Sequence, residues 1–313
     1  MYAIATDFRW NPDESITRSR WLPVPCKIDM EKVPDHPGIK TEWTSRFSEV
    51  FMKLKVVFPG RINPSKKVVS DLAKFVEQAL TYIHKMCTPD VREPRCIEII
   101  LYLWNENKRL PDTKGEPITP ECINTGWCHQ NGYRKFKIFI FRKEDVKKTI
   151  VHELVHSYGI GHWCDEDAVI MQQCRQIATN FNIPPGTVMR PSEAIVDAYA
   201  VKITSNLLGI KDIEVVNQTR RVLGRICTHF DEDPWIETTN ALCYIAIKLV
   251  LLQDVNLLMS MSMDEPDRGA IRNAFYADVP LVKKAKGKSL RMFPLIKNTN
   301  KGLLSAYTDR LFS

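Results

Sequence analysis

Long apolar runs, a paired cysteine framework, internal repeats and strong net charge are all missing from this chain, and each absence narrows what it does. The longest apolar stretch, Ala241 to Leu252, is about a dozen residues and is broken by Lys248, whereas a bilayer span needs about twenty. A buried helix is expected there, and no membrane span. Residues 1–14 have no basic start followed by an apolar stretch, so no secretory signal is expected. The nine cysteines (Cys26, Cys87, Cys96, Cys122, Cys128, Cys164, Cys174, Cys227 and Cys243) are odd in number and scattered. With no signal in view, they predict reduced thiols and an intracellular, cytoplasmic protein. A net charge of +7 over 313 residues, with no recognisable binding module, gives no ground for a nucleic-acid partner. Lys283, Lys284, Lys286, Lys288 and Arg291 read as a solvated basic segment. The remaining composition, 44% hydrophobic and 26% charged, is that of a folded protein with a substantial core.

Histidine is also scarce, at seven residues, yet two of the seven fall in His152-Glu153-Leu154-Val155-His156. On a helix, residues four apart share a face, so both imidazoles converge on one tetrahedral ion while Glu153 points past it. HExxH on a helix is a zinc-protease signature. Zinc at such a site lowers the pKa of its water toward neutrality, and a carboxylate placed like Glu153 takes the proton as that water attacks a polarised carbonyl. The segment Asp145 to Ser157 reads as an amphipathic helix, with Val146, Ile150, Val151, Leu154 and Val155 at helical spacing. Cys122, Cys128 and His129 lie close together, and Cys164 follows His162, but no structural-zinc spacing is matched.

Residues 1–45, rich in Pro, Trp and charge, read as an irregular extension. Phe51 to Phe58 reads as a strand, and Val68 to Ile83 as a helix after Asn63-Pro64. Cys96 to Trp104 and Phe136 to Phe141 read as two further strands, with loops and one short strand between Asn105 and Gly132. Beyond His162 the pattern turns helical: Asp167 to Phe181, Pro191 to Leu208, Ile213 to Cys227 and Trp235 to Met261, with turns at Pro184-Pro185-Gly186, Gly209 and Asp231 to Pro234.

This order resembles the zincin metallopeptidases. The resemblance implies an α+β fold of two lobes: a mixed-sheet lobe over residues 46–162 ending in the HExxH helix, and a helical lobe over 163–313 carrying the third zinc ligand. It also implies a peptide substrate held in extended form along the edge strand near Phe136 to Phe141. Zinc takes three protein ligands in a catalytic site, and two candidates compete for the third. The run His152, Glu153, His156, Gly159, His162 matches the metzincin pattern HExxHxxGxxH, and Thr187 to Pro191 resembles its methionine turn. The run Glu193 to Ala200 resembles the ExxxDxYA helix of gluzincins, particularly prenyl-protein endopeptidases of the CAAX type and their soluble relatives. There the glutamate is the third ligand and the aspartate, here Asp197, hydrogen-bonds a ligating histidine. Glu193 and Asp197 share a helix face, and a metal-bound imidazole usually donates its other N–H to a carboxylate. The long helical tail favours Glu193, with His162 the alternative. Tyr158, Arg190, Tyr199 and His229 are positional candidates for an oxyanion donor.

The resulting expectation is a Zn2+-dependent peptidase in which His152, His156 and Glu193 hold the metal and Glu153 acts as base. The alternatives are a catalytically silent zincin-fold binding protein and a zinc hydrolase of a non-peptide substrate.

Overall fold

The computed structural model describes residues 4–5, 39–47, 50–58, 66–86, 94–104, 107–130, 132–142, 144–254, 268–280 and 282–294. The described residues form a mixed α+β structure. Its strands are β1 (Ile4–Ala5), β2 (Ile39–Phe47), β3 (Val50–Phe58), β4 (Cys96–Trp104), β5 (Gly126–Gln130) and β6 (Lys135–Arg142), in sheet order β1-β2-β3-β4-β6-β5. β3, β4 and β6 are mutually parallel neighbours, while β2 and β5 pair antiparallel to β3 and β6. The register places Leu54, Ile99 and Ile138 in one row across the sheet, and all three are buried. Side chains two apart share a face in a strand, so this row and its neighbours make one continuous apolar surface for helices.

Two expectations shift here. Strands occur at Ile4–Ala5 and within Ile39–Phe47, so the span 1–45 is not irregular throughout. Phe136 to Phe141 is not an edge strand: it lies within β6, between β4 and β5. The edge beside the motif helix is β5, the short strand of the intervening loops. Asn63-Pro64 lies outside the described residues.

Helix α1 (Lys66–Met86) turns Leu72, Phe75, Val76, Ala79, Leu80 and Ile83 inward, each nearly inaccessible. Each of these side chains except Ala79 contributes about 1.5–3 kcal/mol on burial. The short α2 (Pro120–Ile123) precedes β5. α3 (Val146–Ser157) follows β6 and packs on β5, β6 and α1. Its sequence pattern is amphipathic, yet it is buried along its whole length except at His156, because its polar face looks into protein rather than water. α4 (Ala168–Thr179), α5 (Pro191–Leu208) and α6 (Asp212–Phe230) follow. α5 begins with a proline, as first-turn positions favour, and ends at Gly209 in the left-handed region. It lies against α3.

The helix expected from Trp235 starts only after Asn240. Trp235 to Asn240 instead carries a bridge from Glu237 to Ile118, and the helix contains a π turn at Cys243–Ile247 before α7 (Lys248–Leu251). α8 (Arg268–Ala274) comes next. Residues 282–294 then run back across the molecule: Leu290 N–H donates to the Lys108 carbonyl at 3.0 Å, and Met292 N–H to Asp145 at 2.9 Å. Among the described residues no helix is long and apolar enough to cross a membrane.

Candidate metal centre

Helices α3 and α5 meet where His152, His156 and Glu193 face one another. His152 Nε2 and His156 Nε2 are 3.1 Å apart, His156 Nε2 and Glu193 Oε2 3.2 Å, and His152 Nε2 and Glu193 Oε2 3.4 Å. A proton between two of these atoms serves one pair at a time; a cation serves all three. Ligand atoms about 2.0–2.1 Å from a tetrahedral zinc lie about 3.3 Å from each other, so the triangle has the dimensions of one face of such a site. Among the described residues, this trio is the group able to hold a metal ion. Cys122, Cys128, His129 and Cys164 form no such group among those residues, and the seven described cysteines are free.

The trio is held by its neighbours. Asp197, one turn beyond Glu193 and fully buried, accepts from His152 Nδ1 at 2.9 Å. That contact accounts for the Nδ1 proton, so Nε2, which faces Glu193 and His156, is the nitrogen that a metal would take. The Asp197 carboxylate also receives two buried lysines: Lys148 of α3 on Oδ1, and Lys248 of α7 on Oδ2 at 2.7 Å. One carboxylate thus ties three helices together behind the site. Glu193 is placed by the start of α5, where Asp165 accepts from Ser192 N at 2.8 Å and Ser192 Oγ at 2.7 Å. Gly161, at φ +77°, lets the chain pass over α5: a Cβ there would stand 3.3 Å from Ile195 Cγ2.

Electrostatics follow from burial and pairing. Burial by itself lowers the His152 pKa, but Asp197 and Glu193 outweigh it and push it up to about 9. Burial raises both carboxyls, yet His156 and His152 hold Glu193 well below the usual range, and Lys148 and Lys248 do the same for Asp197. Glu153 behaves oppositely: burial dominates and raises its pKa above the usual carboxylate value. Lys248 is drawn down by burial, against the pull of Asp197.

Comparison with protein-family models, curated proteins and solved structures finds no match. The chemistry is therefore argued from this geometry alone.

The trio opens onto a cleft of about 560 Å³. Glu153 lines it beside the trio, and the edge strand β5 forms one wall with Trp127, Cys128, His129 and Gln130. Trp127 packs on Phe139 with ring centroids 4.9 Å apart, which anchors that wall to β6. Arg190 and Tyr244 also line the cleft. Tyr244 sits on the π turn, its ring 5.9 Å from that of His152. Burial first, then the charges of Glu193, Glu153 and Asp197 and a hydrogen bond to Glu193, push its phenol pKa well above the ordinary value. A π turn inserts one extra residue and re-aims a side chain, often at a functional site.

Of the expected residues, the structure brings His152, Glu153, His156, Glu193 and Asp197 together. His162 lines the same cleft with its ring 6.0 Å from that of His156, outside the trio. Among the positional oxyanion candidates only Arg190 lines the cleft. Tyr158 and Tyr199 are core residues, and His229 Nε2 is 2.9 Å from the Glu116 carbonyl oxygen. Sequence reasoning missed Tyr244, Lys148 and Lys248. A usable signal was present for Lys248: a lone lysine inside an apolar helix needs a buried counter-charge.

Proposed function

We propose that this chain is a zinc-dependent metallopeptidase with a two-lobed, zincin-like plan, its cleft running between the sheet and the helical half. One observation carries the reading: three donor atoms within 3.1–3.4 Å of one another, with a buried carboxylate at Glu153 facing the same cleft. A structural metal site needs no such carboxylate. Zinc held by His152, His156 and Glu193 would supply Lewis acidity, polarising a carbonyl and acidifying water.

The rest of the chemistry belongs to side chains of this chain. Glu153, whose pKa burial raises, takes a proton from the attacking water and returns it to the leaving amine, a role that calls for a carboxyl nearer to neutrality than usual. Tyr244 stays protonated and donates to the oxygen on which negative charge develops. β5, the last strand of the sheet order among the described residues, offers backbone groups to an extended peptide, and Trp127 offers a side-chain contact.

Glu153→Gln tests the mechanism. The variant should keep about one zinc per chain by elemental analysis and lose peptide turnover by at least about a hundredfold. Turnover at the native rate overturns the role of Glu153. A native chain that binds zinc and cleaves no peptide overturns the peptidase reading in favour of a silent binding protein.

A further inference from the structure

We infer that the cleft selects peptides bearing a carboxylate near the scissile bond, and that Arg190 is the residue that reads it; this rests on the peptidase reading above. The cleft is unevenly charged. Its only carboxylates among the described residues are Glu153 and Glu193, and both face the His152/His156 pair. Its walls otherwise carry one guanidinium, at Arg190, the imidazoles of His129 and His162, and neutral amides such as Asn124 and Asn240. A substrate carboxylate entering this space away from Glu153 and Glu193 meets no like charge and one guanidinium.

The position of Arg190 suits that task. It stands at the N-cap of α5, and its carbonyl accepts the Glu193 N–H at 3.0 Å, so the backbones of Arg190 and of a metal-holding carboxylate belong to the same helical turn. Its side chain is exposed and has no ion-pair or hydrogen-bond partner among the described residues. Asp165, which accepts two hydrogen bonds from Ser192 of this turn, does not line the cleft. The positive end of α5 adds to the attraction. A guanidinium with its donors unused accepts a carboxylate through two parallel N–H bonds.

The carboxylate has two sources, the free C-terminus of the substrate or an Asp or Glu side chain within it. Both are read by one binding experiment on the zinc-loaded full chain carrying Glu153→Gln, so that the peptide stays uncut. Fluorescein-labelled hexapeptides are titrated at 0.15 M salt and followed by anisotropy. One pair differs only in a free or amidated C-terminus; the others carry Glu or Gln at a single position. The carboxylate member of at least one pair should bind at least about tenfold more tightly. Adding Arg190→Gln should bring that ratio to about one, and Arg190→Glu should reverse it, with zinc content unchanged in both. A ratio confined to the C-terminal pair identifies carboxypeptidase action, and one confined to an internal pair identifies an acidic side-chain pocket. Equal affinities throughout, a preference that survives Arg190→Gln, or no binding of any peptide overturns the inference. Failure of the peptidase reading is seen separately, as absence of cleavage by the native chain.

Discussion

His152 Nδ1 lies 2.9 Å from Asp197 Oδ1, and this one contact decides which ring nitrogen faces Glu193. Asp197 also pairs directly with Lys148 and Lys248, both buried. In Asp197→Asn an amide replaces the carboxylate, two buried ammonium groups lose their paired carboxylate, and the His152 ring loses its anionic acceptor. Breaking a buried pair in this way costs about 3–5 kcal/mol, and losing the partner of a ligating imidazole weakens metal binding about 10–100-fold. Urea denaturation and chelator competition read the two effects separately. Combining Asp197→Asn with Lys248→Met should recover part of the stability and little of the metal affinity. Full recovery of both would show that Asp197 acts only as a lysine partner.

The same contact predicts how pH acts on the metal-free chain. The folded pKa of His152, about 9, lies above the ordinary 6.5, so the folded chain holds a proton that the unfolded chain releases. Stability from this source is whole below about pH 6.5 and is lost as the pH climbs through 9. A bound metal occupies the nitrogen and removes that dependence. Glu237, raised to about 8 by burial against an ordinary 4.5, also makes the fold less stable with rising pH, whether or not metal is present. The gap between melting temperatures with zinc and with chelator should therefore widen from pH 6.5 to 9. A gap that stays constant over that range contradicts the His152 assignment.

How much of this was legible in the sequence depended on how local each feature is. His152, Glu153 and His156 follow from helical periodicity alone, and Glu193 with Asp197 from the next helix face. β6 was readable as a strand, but its place in the sheet was not: whether a strand is an edge depends on where a distant segment docks, and here the short β5 covers it. The π turn that aims Tyr244 at the cleft has no local sequence signature, since it arises from how the helix packs. Lys283, Lys284, Lys286, Lys288 and Arg291 read as a solvated basic segment. In the fold the backbone of residues 282–294 pairs with Lys108, Leu110 and Asp145, contacts set by tertiary placement rather than by side-chain pattern.

Glu193 and His162 are separated as ligands by position: Glu193 Oε2 is 3.2 Å from His156 Nε2, whereas the His162 ring centroid is 6.0 Å from that of His156. Glu193→Ala should leave well under one zinc per chain after dialysis, because two imidazoles alone hold the ion weakly. His162→Ala should retain about one. Elemental analysis decides, and the reverse ranking restores His162 as the third ligand.

Tyr244 is a neutral hydroxyl donor that lines the cleft beside the trio. Its raised pKa keeps the hydroxyl a donor across the working range, and its ring is fixed beside His152. A donor that tightens only as charge develops on the substrate oxygen contributes to the rate and little to ground-state binding. Tyr244→Phe should therefore lower kcat by about 10²–10³ with KM changed by less than about threefold. Zinc content should be unchanged, since the trio keeps all three donor atoms. If KM rises while kcat holds, Tyr244 is a substrate-binding residue. If zinc is lost, its hydrogen bond to Glu193 is what the site depends on, and the oxyanion role passes to another group lining the cleft, with Arg190 the first to test.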